Sequence, residues 1–576
     1  MEESVLLMNM TILLLLGGLC SIMFRKLRMP AIIGYLVSGI ILANYWVGES
    51  EDTESIVEFL SDLGLVMMMF CIGMELNLKK LRKMGSFAIL VVMIQVPLIL
   101  AGGIICGMLL GLDGVQSVIF GAIISGSSTA VVTVVLHDQD RLSHQEMETI
   151  ILITVIEDVA QVIILSAVTP LMSGETMSVD SIVWMLLIIV AFMAIAIVVG
   201  LLTLPKVLDW IGERMPDEIL LIIALGLCFL MAYLGTLVGL SMAIGSFMMG
   251  VVVSQAKGAK IIEHDITPMK DIFMMMFFIS IGLQIRPESL VDNILLILSI
   301  YLIYFSLKAG TVILAYFVGN KPLRVSFLSS ISLCAMGEFA FIIGKEAFDA
   351  GMLSEDFYAA VIGAALVSMI VLPMLDKQSD KIVGAVQNRT PQPIVNAFMR
   401  LEKVRSDFYS KMALASKTTM QNLRTRMTYA YFAGILIFIV EMAFFVFTPY
   451  IAEFINLNTS EAVSIGTATL FAMILNFIAL IPLTYKMVFN LSFIEKVMLD
   501  SNRRAKEAGR KSGRIVTSKA ATAFVELNIW VLAILIDFLI VLVVPNEISL
   551  LGHLLVLAVG VAIIAGAQLL LYINRR

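Results

Sequence analysis

The stretch Ile151–Leu165, ILITVIEDVAQVIIL, sets two adjacent carboxylic acids, Glu157 and Asp158, in the middle of a run that is otherwise almost wholly apolar. A charge at the centre of a bilayer costs several kcal/mol and marks a functional position by default. Adjacent residues of a helix point about 100° apart, so the two acids face different neighbours. Thr154 lies one turn before Asp158 on the same face and offers a further oxygen ligand.

The rest of the chain supports reading that run as a membrane span. Of 576 residues, 60% are hydrophobic and only 15% charged, against about a quarter charged in a soluble protein. A net charge of −6 supplies no positive field for phosphates, so a nucleic-acid partner is not expected. The five cysteines stand singly in apolar runs, without metal-ligand spacing, and read as small buried hydrophobes. Acidic residues head the first apolar run, so it reads as a retained span rather than a cleaved leader.

Apolar runs predict thirteen spans, near residues 6–24, 31–46, 56–76, 86–110, 115–136, 147–170, 181–203, 217–235, 238–254, 270–285, 291–318, 323–345 and 357–375. Alternate loops carry Arg25, Lys26 and Arg28, then Lys79, Lys80, Arg82 and Lys83, then Lys257, Lys260 and Lys270, then Lys321 and Arg324. The other set holds Glu49, Glu51, Asp52 and Glu54 or almost no charge, which predicts the N-terminus outside and the basic loops in the cytoplasm.

Beyond residue 375 comes a polar stretch, 376–427, with ten Lys and Arg against four acids. It reads as a cytoplasmic linker, with Ile394, Phe398, Leu401, Val404 and Phe408 spaced for an amphipathic helix on the inner membrane surface or for a solvated linker helix. Four more apolar runs, near 428–448, 463–488, 521–544 and 549–573, form a membrane extension, and the C-terminus is expected in the cytoplasm. Its polar set, Glu441, Asn476, Glu526, Asn528 and Asp537, suits helix association, for scaffolding, dimer contact or regulation.

The first 375 residues also contain a repeat. IGMEL at 72–76 returns as IGLQI at 281–285, and GYLVSG at 34–39 as GSFMMG at 245–250. Seven spans separate each pair, so the copies run in opposite directions, the inverted arrangement of many secondary transporters. Nearly the same offset carries SGSSTA at 125–130 onto SLCAMGEF at 332–339. Ser127, Ser128 and Thr129 in one, and Gly337 and Glu338 in the other, are where backbone unwinds to line a cavity, or where small residues pack helices tightly.

A carboxylate at membrane depth that can hold a proton or a hard monovalent cation, but not both, couples the two by competition. That is the minimum apparatus of an antiporter. Lys308, in the middle of LIYFSLKAGTVILAYF, is the counter-charge that makes a second acid tolerable. The expectation is that Glu157 pairs with Lys308 and that Asp158 exchanges, with Ser128, Thr129 and Thr154 as oxygen ligands. The three charges also fit a purely structural ion-pair network, and Glu338 fits either bonding of the broken segments or a direct part in transport.

Taken together, PAIIGYLVSGIILAN, LGLVMMMFCIGMELNLKKL, GAIISGSSTAVV, VIEDVAQV, GLSMAIGSFMMGVVVS, MFFISIGLQI and GEFAFIIG, in that order, resemble the monovalent cation:proton antiporter-2 family, which includes Kef-type potassium efflux proteins and bacterial sodium/proton antiporters. The resemblance covers most of residues 1–375. It implies an all-α core of thirteen helices with crossed broken helices five and twelve, a dimerisation part and a moving part, and elevator-type alternating access. It also implies cation binding at Asp158 and the paired lysine at Lys308, in a homodimer in the cell membrane, among lipids, exchanging Na⁺ or K⁺ for H⁺ without a cofactor or resident metal. The Glu-Asp pair departs from the family's commoner Asn-Asp, Asp-Asp and Gln-Asp, and no nucleotide-binding GxGxxG element follows the core.

A sodium-coupled organic-solute symporter of similar architecture is the nearest rival reading. An ion channel lacks a filter sequence here, and an intramembrane enzyme lacks HExxH, GxSxG and an aspartyl dyad.

Overall fold

The computed structural model describes residues 3–389, apart from 28, 47–50, 76–85, 138–140, 174–178 and 320, and scattered helical positions between 425 and 493. The helices are α1 (Glu3–Lys26), α2 (Ala31–Trp46), α3 (Glu51–Glu75), α4 (Ser86–Leu109), α5 (Gly114–Ile123), α6 (Thr129–His137), α7 (His144–Val168), α8 (Val179–Gly212) and α9 (Asp217–Leu237). They continue as α10 (Met242–Val253), α11 (Ala259–Leu283), α12 (Pro287–Asp292), α13 (Ile294–Val318), α14 (Leu323–Ser332), α15 (Glu338–Asp349), α16 (Glu355–Lys377) and α17 (Ser379–Arg389). Among the described residues, six helices are long and apolar enough to cross a membrane: α4, α7, α9, α11, α13 and α16.

Local signals explain several starts. Asp113 caps α5 and Ser143 caps α7, each in a reciprocal box with the Gln116 or Glu146 side chain. Ser354 caps α16. The run expected at 115–136 is two half-helices, α5 and α6, of 10 and 9 residues. The run at 323–345 is likewise α14 and α15, of 10 and 12 residues. At 1.5 Å per residue each half reaches only about 14–18 Å, roughly half of a bilayer's hydrocarbon core.

The helices sort into two bundles with separate apolar cores. One is built from α1–α3 and α8–α11, around Phe70, Leu220, Cys228, Val252 and Ile266. The other is built from α4–α7 and α13–α16, around Val91, Val132, Ile150, Ile153, Val312 and Leu328. Few contacts join them, and the short α12 touches both α2 and α16.

In the first bundle, glycines allow backbones to touch. A Cβ on Gly39 would meet Gly282 Cα at 2.8 Å, and one on Gly73 would meet Gly250 Cα at 3.0 Å. These four glycines belong to the four repeated motifs, and the repeat carries the pair Gly39/Gly282 onto Gly250/Gly73. The sequence repeat thus coincides with a repeated helix crossing.

By compactness the chain divides into Met1–Asn388 and Arg389–Arg576. Helix α17, over the first residues of the expected linker, belongs almost wholly to the first unit. Arg141 explains its attachment: it reaches the Asp376 carbonyl, the Ser379 hydroxyl and, at 3.4 Å, the Asp376 carboxylate. In the second unit the Arg426 guanidinium donates to Asn490 at 3.1 Å and stacks 4.5 Å from the Phe493 ring centroid. The expected amphipathic segment at 391–408, most of the four C-terminal runs, and Glu441, Glu526, Asn528 and Asp537 lie outside the described residues; Asn476 is buried in its own unit.

Candidate functional site

The site lies in the second bundle, where both interrupted helices meet the middle of α7. Residues 124–128 and 333–337 leave helical geometry, and Ser127 pairs antiparallel with Met336. The Ser128 N–H donates to the Ala335 carbonyl at 2.9 Å. Further groups absorb what the broken helices leave unpaired: Ser127 Oγ and the Tyr304 hydroxyl both donate to the Leu333 carbonyl, and the Met336 N–H donates to Ser368 Oγ. Gly337 has ordinary extended backbone, φ −83° and ψ 173°. What it supplies is space, since a Cβ there would stand 2.7 Å from the Ser127 carbonyl oxygen.

Glu157 and Asp158 do face different neighbours. Glu157 is 0% exposed and turns toward α13, where Lys308 Nζ lies 2.8 Å from its Oε1 and is equally buried. The Ser127 N–H donates to Glu157 Oε2 at 3.0 Å, and the Gln95 amide of α4 donates to Oε1. Three donors, one of them cationic, therefore hold this carboxylate, leaving a balanced pair in a fully buried position.

Asp158 has a sparser shell. It is 8% exposed and accepts one side-chain bond, from Thr129 Oγ1 at 3.1 Å. Ser128, the preceding residue, instead donates its hydroxyl to Glu338 Oε1 at 3.2 Å. Two consecutive hydroxyls at the start of α6 thus serve two different carboxylates. Lys270 of α11 and Glu75 at the end of α3 act on Glu338 and on each other through space.

The residues singled out in the sequence therefore converge, but not in one shell. Ser127 serves the Glu157 side and the broken backbone, Thr129 serves Asp158, and Ser128 serves Glu338. The Thr154 hydroxyl donates back to the Ile151 carbonyl at 2.8 Å, so only its lone pairs are available to a ligand. Sequence reasoning missed Gln95; the signal was a lone amide within the apolar run 86–110.

At the end of the molecule where α11 stops and α16 starts, polar contacts join the two bundles. Lys345 of α15 lies 3.8 Å from Asp62 of α3, the Tyr358 hydroxyl donates to Gln284 at 3.3 Å, and Arg286 pairs with Glu355 at 3.0 Å.

Residues 11–377 match the sodium/hydrogen exchanger transmembrane family. The chain is similar to the Na⁺/H⁺-K⁺ antiporter GerN of Bacillus cereus, 27% identical over 61% of this chain and 90% of that protein. It is also similar to K⁺ efflux antiporter 5 of Arabidopsis thaliana, 26% identical over 65% of this chain and 66% of the relative. In fold it is similar to the sodium proton antiporter MjNhaP1 of Methanocaldococcus jannaschii, with a TM-score of 0.54 and 19% identity over 67% of this chain and all of that one.

Proposed function

The chain belongs to the sodium/hydrogen exchanger family, and from that premise we propose that it exchanges Na⁺ or K⁺ for protons across the cell membrane, with Asp158 as the carboxylate that cation and proton occupy in turn. The observation that carries this reading is the contrast within the acid pair: Glu157 is closed off by three donors, whereas Asp158 keeps one hydroxyl and a margin of exposure. A cation reaching Glu157 would have to displace the Lys308 ammonium. At Asp158 it needs only to replace a proton, with Thr129, and Thr154 by its lone pairs, as neutral oxygen ligands.

The movement proposed is of elevator type. Two bundles with separate apolar cores and few shared contacts can shift against each other without disrupting either core. The bundle of α4–α7 and α13–α16 carries the ion, and the glycine-crossed bundle is the fixed scaffold, through which two copies form a homodimer. Residues 124–128 and 333–337 take the part of the crossed broken helices in a core of thirteen spans. The basic loops face the cytoplasm, the N-terminus lies outside, and the region beyond residue 376 is a cytoplasmic linker followed by four spans that scaffold or regulate the exchanger.

The test is exchange by the full chain in liposomes under an imposed pH gradient, followed with a pH-sensitive dye as Na⁺, K⁺ or Li⁺ is added. Wild type should dissipate the gradient on cation addition. Asp158→Asn should fall to background while eluting as folded protein, because Asn keeps the bond to Thr129 and removes only the exchangeable charge. Full activity in Asp158→Asn overturns the assignment.

A further inference from the structure

Glu338 opens α15 at the interruption, half-buried, with Gly337 as its N-cap. Thr129 opens α6 at the facing interruption, so the N-terminal ends of two half-helices meet beside Asp158. The C-terminal ends of α5, at Ile123, and of α14, at Ser332, reach the same crossing, and half-helix ends of about +0.5 and −0.5 of an elementary charge largely offset one another there. Glu157 and Lys308 cancel. The attraction for an arriving cation therefore comes from the carboxylates at the crossing, and Glu338 is held there by the hydroxyl next in sequence to the one that holds Asp158.

Building on the reading of Asp158 as the exchanging group, we propose that Glu338 is the second carboxylate of the same site, a direct ligand of the cation and an acceptor of the exchanged proton. The two acids are held alike, each by one hydroxyl from the consecutive pair Ser128 and Thr129. A hydroxyl that donates to a carboxylate still offers its lone pairs to a cation lodged between, so both ligands can turn to the ion without a backbone change. One proton leaving to water for each cation that enters keeps the charge of the pocket constant. Ser128 donates to Glu338 from its own bundle, and Asp158 of that bundle and Lys270 and Glu75 of the scaffold lie within electrostatic reach of it, so its surroundings change when one bundle moves against the other.

The decisive variant is Glu338→Gln, because Gln still accepts the Ser128 hydroxyl and preserves a purely structural bond while removing the charge. In the liposome assay, Glu338→Gln should raise the apparent KM for the cation about tenfold or more, as loss of a nearby opposite charge requires, and displace the pH profile. Glu338→Asp should restore KM most of the way. An unchanged KM and pH profile in Glu338→Gln would reduce Glu338 to a strut and overturn the proposal. Should Glu338→Gln fail to fold, as judged by its elution, the neutral variant Glu338→Ser decides instead: a wild-type KM and pH profile overturns the proposal, and a raised KM that Glu338→Asp largely restores supports it. Asp158→Asn, run in parallel, separates the two readings, since exchange surviving that change sinks the assignment of Asp158 whatever Glu338→Gln does.

Discussion

Removing Lys308 strands a carboxylate that cannot reach water, and the geometry sets the cost. With Nζ 2.8 Å from Oε1 and both side chains 0% exposed, the attraction at an effective dielectric of about 20 is about 6 kcal/mol. Gln95 and the Ser127 N–H stay on Glu157 after Lys308→Met and retain part of that. The net loss should match the roughly 3–5 kcal/mol seen when one partner of a buried pair is removed. Glu157→Gln leaves the reverse problem, a buried ammonium without its counter-charge, and should cost a similar amount. The double variant Glu157→Gln/Lys308→Met removes both charges and should lie within about 1 kcal/mol of wild type, a coupling of several kcal/mol. The assay is unfolding of the purified chain by increasing dodecyl sulfate in mixed micelles, followed by tryptophan fluorescence, for wild type, both singles and the double. Both singles should unfold early, and the double should recover. A double variant as unstable as the sum of its parents would refute the reasoning, because the pair would then contribute no coupling. Exchange on the same samples adds a second reading: Lys308→Met changes the charge of the bundle of α4–α7 and α13–α16 by one and should alter the voltage dependence, while the double keeps that charge and should restore it.

Gly337→Ala places a methyl 2.7 Å from the Ser127 carbonyl oxygen, a backbone clash worth about 1–3 kcal/mol. It should cut exchange at least several-fold in protein that still elutes as folded, and wild-type rates would show that the two broken segments need not touch. The Lys345–Asp62 contact joins the two bundles at 3.8 Å with Asp62 one-third exposed, so it is worth about 1 kcal/mol or less. Lys345 also pairs with Asp349 within α15 at 2.8 Å, so Asp62→Asn is the cleaner variant: it should change the exchange rate up to about fivefold by shifting the balance between bundle positions, Lys345→Met should shift it in the same direction, and the double Asp62→Asn/Lys345→Met should add little to Lys345→Met alone. Rates indifferent to all three variants would make the contact incidental to movement.

What the sequence made legible follows from what membrane burial forbids. Glu157, Asp158 and Lys308 stand out because a charge in an apolar run demands a reason, and the two polar, glycine-bearing stretches stand out because helices avoid such runs unless they break. The structure puts all of these within one bundle, and the glycines of the repeated motifs at two equivalent crossings. The sharing of hydroxyls was not legible. Ser128 and Thr129 are adjacent, both reach carboxylates, and only the third dimension sends one to Glu338 and the other to Asp158. Gln95 was hidden because an amide in an apolar helix announces no partner, and Lys345 and Asp62 because each reads as an ordinary charge near a span end. Spacing along a chain reveals which residues cannot be left in lipid; which of them share a charge depends on contacts between helices far apart in sequence. That distinction bears directly on transport. A reading by adjacency pairs Asp158 with Glu157, whereas the contacts give Glu157 to Lys308 and set Asp158 and Glu338 on the consecutive hydroxyls of Thr129 and Ser128.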